Sequence, residues 1–181
     1  MDKIFIMLVG IPGSGKTFSA HKYAEEHKDT VIVSTDIIRK NLFGDESMQY
    51  SMEYAQRKMK HMHINTSGMT ADELKRKAEI ICRTAVYNTA TYKICSSLRN
   101  GKSVIFDATN IYRRNRIYML KKVNSICSKK ICWYFDVLLK TALNQNKNRS
   151  RIVDEKIITK MKTMLQTPLK EEGFDEIITL K

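Results

Sequence analysis

The sequence predicts an α/β fold, a five-stranded parallel sheet wrapped by helices, and three observations carry that prediction. Short apolar runs recur along the chain with helical patterns between them. The first run ends in the glycine-rich stretch GIPGSGKT, residues 10–17, and passes directly into a lysine-bearing helix. The one long interval between runs, about residues 47–100, carries helical rather than strand periodicity.

Each element has its own warrant. KIFIMLVG, residues 3–10, is continuously apolar and ends in glycine, as a strand buried on both faces of a parallel sheet does. KTFSAHKYAEEH, residues 16–27, supplies the first helix. TVIVST (30–35) is a second, β-branched strand and KSVIFDAT (102–109) a third. KKICWYFDVLL (129–139) reads as a fourth, and DEIITL (175–180) as a short fifth. Strands alternating with helices call for right-handed crossovers. In the helical insertion, Thr70 and Glu73 form a capping box, Leu74, Ala78, Ile81 and Ala85 follow at helical spacing, and Asn100-Gly101 stops the helix. The preceding SMQYSMEYAQRKMKHMHIN, residues 47–65, is rich in methionine and tyrosine. We read these as packing residues, with an adaptable partner groove as the alternative. A lid is expected over about residues 140–165, and residues 1–181 read as one domain.

Composition narrows the class. Hydrophobic content of 43% and charged content of 28% are those of an ordinary globular chain. No apolar run approaches the roughly 18 residues of a membrane span, so no membrane partner and a cytoplasmic location are expected. Cys82, Cys95, Cys127 and Cys132 lack paired zinc spacing and read as reduced structural thiols, while His61 and His63 have no third ligand nearby. A net charge of +13 favours a polyanionic partner.

The chemistry begins at Gly10-x-x-x-x-Gly15-Lys16-Thr17, the phosphate-binding loop of a P-loop NTPase placed between strand and helix. Gly10, Pro12, Gly13, Ser14, Gly15, Lys16 and Thr17 are the candidate nucleotide contacts. Loop amides and the helix N-terminus bind anionic oxygens, Lys16 reaches the β- and γ-phosphates, and the Thr17 hydroxyl ligates Mg²⁺. At the end of the second strand, STDIIR offers Asp36 as a base for an attacking hydroxyl and Arg39 as a phosphate contact. The plainer alternative is a helix-capping aspartate with a surface arginine. Asp107, ending the third strand, is the candidate for the Mg²⁺ shell. Asn110 and Arg116, with Arg113 and Arg114 beside them, are substrate candidates or a solvated basic turn. Arg149 and Arg151 precede a helix starting near Asp154, and either could act on the transferring phosphoryl group.

The motifs GIPGSGKT, STDIIR, VIFDATN, RSRIVDEKI and EEGFDEII, in this order, resemble the polynucleotide 5′-hydroxyl kinase family over nearly the whole chain. The resemblance implies an adenylate-kinase-like sheet with a helical lid, ATP and Mg²⁺ as cofactors, and the 5′-hydroxyl end of RNA or DNA as acceptor. It implies that Lys16 and Thr17 hold the ATP phosphates, Asp36 is the general base, and Arg39 engages the acceptor's 3′-side phosphate. Arg149 or Arg151 corresponds to the lid arginine. The chain departs from the resemblance at Ala108, where the phage member carries a carboxylate, at Gln145-Asn146, where many members read Arg-Asn, and at Asp154, where many have proline. Neither an Asp-x-Asp-Gly phosphatase signature nor a Lys-x-Asp-Gly ligase signature is present, so phosphatase or ligase partners are expected on other chains. Two alternatives stand beside this reading: a kinase for a sugar, antibiotic or nucleotide-sugar, and a nucleotide-gated binding module without catalysis.

Overall fold

Six consecutive apolar residues are tolerated only where both faces of a strand are covered. Accordingly β1 (Ile4–Val9) lies in the middle of the sheet, with Phe5 to Val9 at most 1% exposed. The structure, a computed structural model, describes residues 3–45, 49–149 and 151–181. The remaining elements follow as α1 (Lys16–Glu26), β2 (Thr30–Ser34), α2 (Thr35–Phe43), α3 (Met52–His61) and α4 (Ala71–Arg99). Then come β3 (Ser103–Asp107), α5 (Arg113–Val123), β4 (Lys129–Phe135), α6 (Leu139–Lys147), α7 (Glu155–Met164) and β5 (Glu176–Leu180). A 3₁₀ turn at Lys170–Glu172 precedes β5.

The five strands form one parallel sheet in the order β2-β3-β1-β4-β5. Phe5 sits in register with Val104 of β3 and with Lys130 of β4. Because all strands run the same way, the segments leaving β1 and β3, which hold the glycine loop and Asp107, emerge at one edge of the sheet. On one face Ile6, Leu8 and Ile105 pack with Ala20 of α1, and Tyr23 of α1 meets Trp133 edge-on at 5.3 Å.

Two compact units are present, Met1–Val33 with Lys93–Lys181, and Ser34–Tyr92. The first holds the sheet. The second is helical and has its own core of Ala55, Met59, Ala78 and Cys82, against which Phe43, Tyr50, Met52 and Tyr54 pack. Tyr50, Met52, Tyr54 and Met59 of the methionine- and tyrosine-rich segment are therefore packing residues, whereas Met62 is 59% exposed. Residue 47, where the sequence reading begins the insertion, lies outside the described residues. The capping box forms as expected: Glu73 N–H donates to the Thr70 hydroxyl and Thr70 N–H to the Glu73 carboxylate at 2.7 Å.

Several strand ends need correction, the third strand stopping at Asp107 rather than at residue 109. The fourth strand stops at Phe135, not at residue 139. Asp136 N–H closes the ladder by donating to Leu180, and Leu139 then packs with Ile11, Ala142 and Ile158 at the base of the lid helices. Apolar residues there serve a helix interface rather than the sheet. Thr35 likewise opens α2 instead of ending β2.

Candidate active site

The loop after β1 is shaped by what cannot fit in it. A Cβ on Gly13, whose φ is 80°, would collide with the Ala142 carbonyl oxygen of α6. Gly15 caps α1 in the left-handed region at φ 89°. Lys16 is buried, and its ammonium donates to the Ile11 carbonyl at 2.6 Å and to the Ser14 hydroxyl at 3.2 Å. The cation is thus held inside the turn of its own loop.

The Thr17 hydroxyl, on the first turn of α1, donates to the Asp107 carboxylate at 2.9 Å. Asp107 is 7% exposed. Adjacent parallel strands bring the two together, since β3 pairs directly with β1. A hydroxyl and one carboxylate form a hard-oxygen pair that suits Mg²⁺, which takes few protein ligands and fills its octahedron with water and phosphate oxygens. Donation to Asp107 also fixes the Thr17 oxygen so that its lone pairs can face a cation. Among the described residues no group of three or more His, Cys, Asp and Glu is placed to hold a metal.

In the helical unit, Asp36 occupies the first turn of α2, two residues beyond β2, and accepts from Arg39 at 2.6 Å. The side chains are 40% and 20% exposed respectively. An acidic group in the first turn is favoured by the helix dipole, and the i,i+3 spacing lets the guanidinium fold back on it. Ser34 rather than Asp36 is the N-cap residue, so the capping alternative does not describe this carboxylate.

The lid is built by α6 and α7, whose apolar faces meet through Ala142 and Ile158 and enclose Ile11 of the phosphate loop. Asp154 caps α7 by accepting the Lys156 N–H at 2.7 Å. Asn146, 1% exposed, donates its amide to the Val153 carbonyl at 2.8 Å and accepts the Val153 N–H at 3.1 Å. Arg149 and Arg151 stand between those two residues and are both partly exposed.

A family model described as an AAA domain matches residues 5–168. The chain belongs to the AAA domain family. This AAA domain has the P-loop fold of the kinase-like type, with the loop and a carboxylate-bearing strand end side by side. No curated protein matches the sequence. Among solved structures it is similar to a chain in the structure of the Pnkp1/Rnl/Hen1 RNA repair complex, at 20% identity and a TM-score of 0.63. That match covers 96% of this chain and 47% of the other, so this chain spans about half the length of its relative. It is also similar to a gluconokinase from Sinorhizobium meliloti, at 12% identity and a TM-score of 0.58 over 96% and 79% of the two chains. A fungal RNA kinase matches at 14% identity and a TM-score of 0.56, covering 100% of this chain and 38% of that one. At these identities the likeness is one of fold.

Two substrate candidates of this AAA domain are corrected by the structure. Arg116 is fully buried. Its guanidinium forks onto Glu172 at 2.6 and 2.7 Å and also donates to the carbonyls of Asn110 and Ile111. Asn110 is 2% exposed, adopts φ 46°, and gives its amide to the Leu8 carbonyl at 2.8 Å. Both brace the turn after β3 from inside, with their polar groups engaged by the protein itself. Local sequence could not separate Arg116 from its exposed neighbours Arg113 and Arg114, because Glu172 lies 56 residues away. Asn146 keeps the asparagine of the Arg-Asn pattern, and the departure there is Gln145.

Proposed function

We propose that this AAA domain is a Mg²⁺-dependent kinase that moves the γ-phosphoryl group of ATP to the 5′-hydroxyl end of a polynucleotide. The observation that carries phosphoryl transfer is the Thr17–Asp107 contact beside the buried Lys16. Bound Mg²⁺ would supply charge neutralisation on the β- and γ-oxygens, held through Thr17 with Asp107 behind it. Lys16 would turn from Ile11 and Ser14 to the phosphates, and the loop amides would cradle them.

Asp36 would take the proton of the attacking hydroxyl, with Arg39 fixing its rotamer and contributing charge for the acceptor's neighbouring phosphate. Arg149 or Arg151 would stabilise charge on the phosphoryl group in flight.

Charge supports a polymer over a small acceptor. The sheet-bearing unit holds 23 Lys and Arg against 12 Asp and Glu, so it carries a net +11 of the total +13. Residues 113–130 contain no acid at all, and Arg113, Arg114, Lys121 and Lys122 are exposed along α5. The Lys122 ammonium lies 5.3 Å from the exposed Tyr118 ring and Arg114 6.0 Å from Tyr112, a basic surface interleaved with aromatic faces.

The likeness to a gluconokinase favours a second reading, a sugar kinase on the same scaffold. Offering γ-labelled ATP to a 5′-hydroxyl oligonucleotide and to gluconate separates the two. We expect label on the oligonucleotide, with acceptor affinity falling steeply between 50 and 200 mM salt (roughly 10-fold or more) through counterion release. Label on gluconate alone, with salt-independent affinity, would establish the sugar kinase instead.

A further inference from the structure

We propose that Asn146 is the positioning residue of the lid: its amide clamps the base of the tip loop and thereby sets where Arg149 and Arg151 are held during transfer. The proposal rests on the kinase reading above, because it concerns what those arginines do.

The lid's two helices are anchored independently of the tip. Ala142 and Ile158 bury against Ile11, Asp154 caps α7, and Lys162 near the end of α7 donates to the Val137 carbonyl at 3.0 Å and to Asp136 at 3.2 Å. Beyond α7, Gln166 N–H donates to Ile111 and the Gln166 side chain accepts from Arg113 N–H. These contacts fix where α6 ends and α7 begins. At the base of the tip Lys147 also pairs with Glu155 at 3.9 Å.

Asn146 lies one residue before the end of α6, and its carboxamide pairs with both backbone groups of Val153, just before the cap of α7. That pairing needs a donor and an acceptor side by side on one short side chain, which only asparagine supplies at this length. Val153 gives N–H and receives N–H, so the two bonds also fix which end of the amide is nitrogen. The Arg149 N–H then donates back to the Asn146 carbonyl at 3.3 Å, so the turn leading to the first arginine starts from the clamped residue. Being 1% exposed, with both amide groups engaged, Asn146 cannot itself touch a phosphate. Its influence passes through the loop, where a displacement of about 1 Å can cost on the order of 100-fold in rate.

The test compares single-turnover transfer to a 5′-hydroxyl oligonucleotide for wild type, Asn146→Ala and Asn146→Asp, with ATP-analogue affinity measured for each. Asn146→Ala should lower kcat about 10–100-fold while changing nucleotide Kd less than about 3-fold. In an Arg149→Ala/Arg151→Ala background the same substitution should cost less than about 2-fold further, since there is nothing left to position. Asn146→Asp reports on the bonds themselves. As a carboxylate it cannot donate to the Val153 carbonyl, but once protonated it regains the donor. Burial raises a carboxyl pKa, so its deficit relative to wild type should shrink as pH falls from 8 to 6.

Additive losses in the arginine-free background would overturn the clamp. So would an Asn146→Asp deficit that is flat with pH, or an effect confined to nucleotide affinity. A wild type that labels no 5′-hydroxyl would overturn the kinase reading and the clamp together, whereas an active wild type with additive losses would remove the clamp alone.

Discussion

The Thr17 hydroxyl donates to the Asp107 carboxylate at 2.9 Å across 90 residues of chain, joining the end of one parallel strand to the helix that follows its neighbour. If this pair holds Mg²⁺, Asp107→Asn should raise the Mg²⁺ concentration for half-maximal turnover about 10–100-fold. Acceptor KM should hardly move. Initial rates over a Mg²⁺ titration measure this, and an unchanged Mg²⁺ dependence would remove Asp107 from the shell.

Gly13 has no room for a side chain, since a Cβ there strikes the Ala142 carbonyl while φ is 80°. Gly13→Ala must push α6 off the loop or distort the loop itself. We expect a loss of about 1–3 kcal/mol in stability from the strained backbone and a larger loss of nucleotide affinity. Denaturant unfolding and analogue binding test the two effects separately. Native-like affinity in the variant would contradict the tight loop–lid contact.

Arg116 and Glu172 are both fully buried and share two hydrogen bonds, and Glu172 also accepts the Leu169 N–H. Arg116→Met leaves the buried Glu172 carboxylate with only the more distant Arg113 at 4.0 Å and should cost about 3–5 kcal/mol in urea unfolding. Arg116→Met combined with Glu172→Met should be milder than the single change. A loss of acceptor affinity with unchanged stability would restore Arg116 as a substrate contact.

Burial pushes the Cys132 thiol up to about 12, with nearby Arg116 opposing the shift and Glu172 adding to it. A native thiol so placed stays protonated while the unfolded one ionises near 9, so its contribution to stability is intact below pH 9 and falls away towards pH 12. Iodoacetamide at pH 8 should therefore label Cys132 only after unfolding, because the thiolate is the reactive form. Fast labelling in the folded protein would contradict the burial.

Legibility followed distance along the chain. The glycine loop and the Thr70–Glu73 box are motifs contiguous in the sequence, and both are readable there even though the loop's own contacts at Asp107 and Ala142 are distant. The fourth strand was overrun because its apolar run continues into Val137 and Leu139, which pack on the lid core rather than the sheet. Asn110 and Arg116 looked like site residues because they follow the β3 carboxylate. What buries them, Leu8 and Glu172, lies 102 and 56 residues away. Asn146 matches the asparagine of the Arg-Asn pattern, but its pairing is with the backbone of Val153 and so left no mark in the residue type there.

The most direct measurement is the rate of γ-phosphoryl transfer to a 5′-hydroxyl oligonucleotide by Asp36→Asn, taken together with its ATP affinity. If Asp36 is the base that receives the acceptor proton, turnover should drop about 10²–10⁴-fold while ATP binding stays within a few-fold of wild type. Turnover equal to that of wild type would contradict the kinase mechanism proposed for this chain.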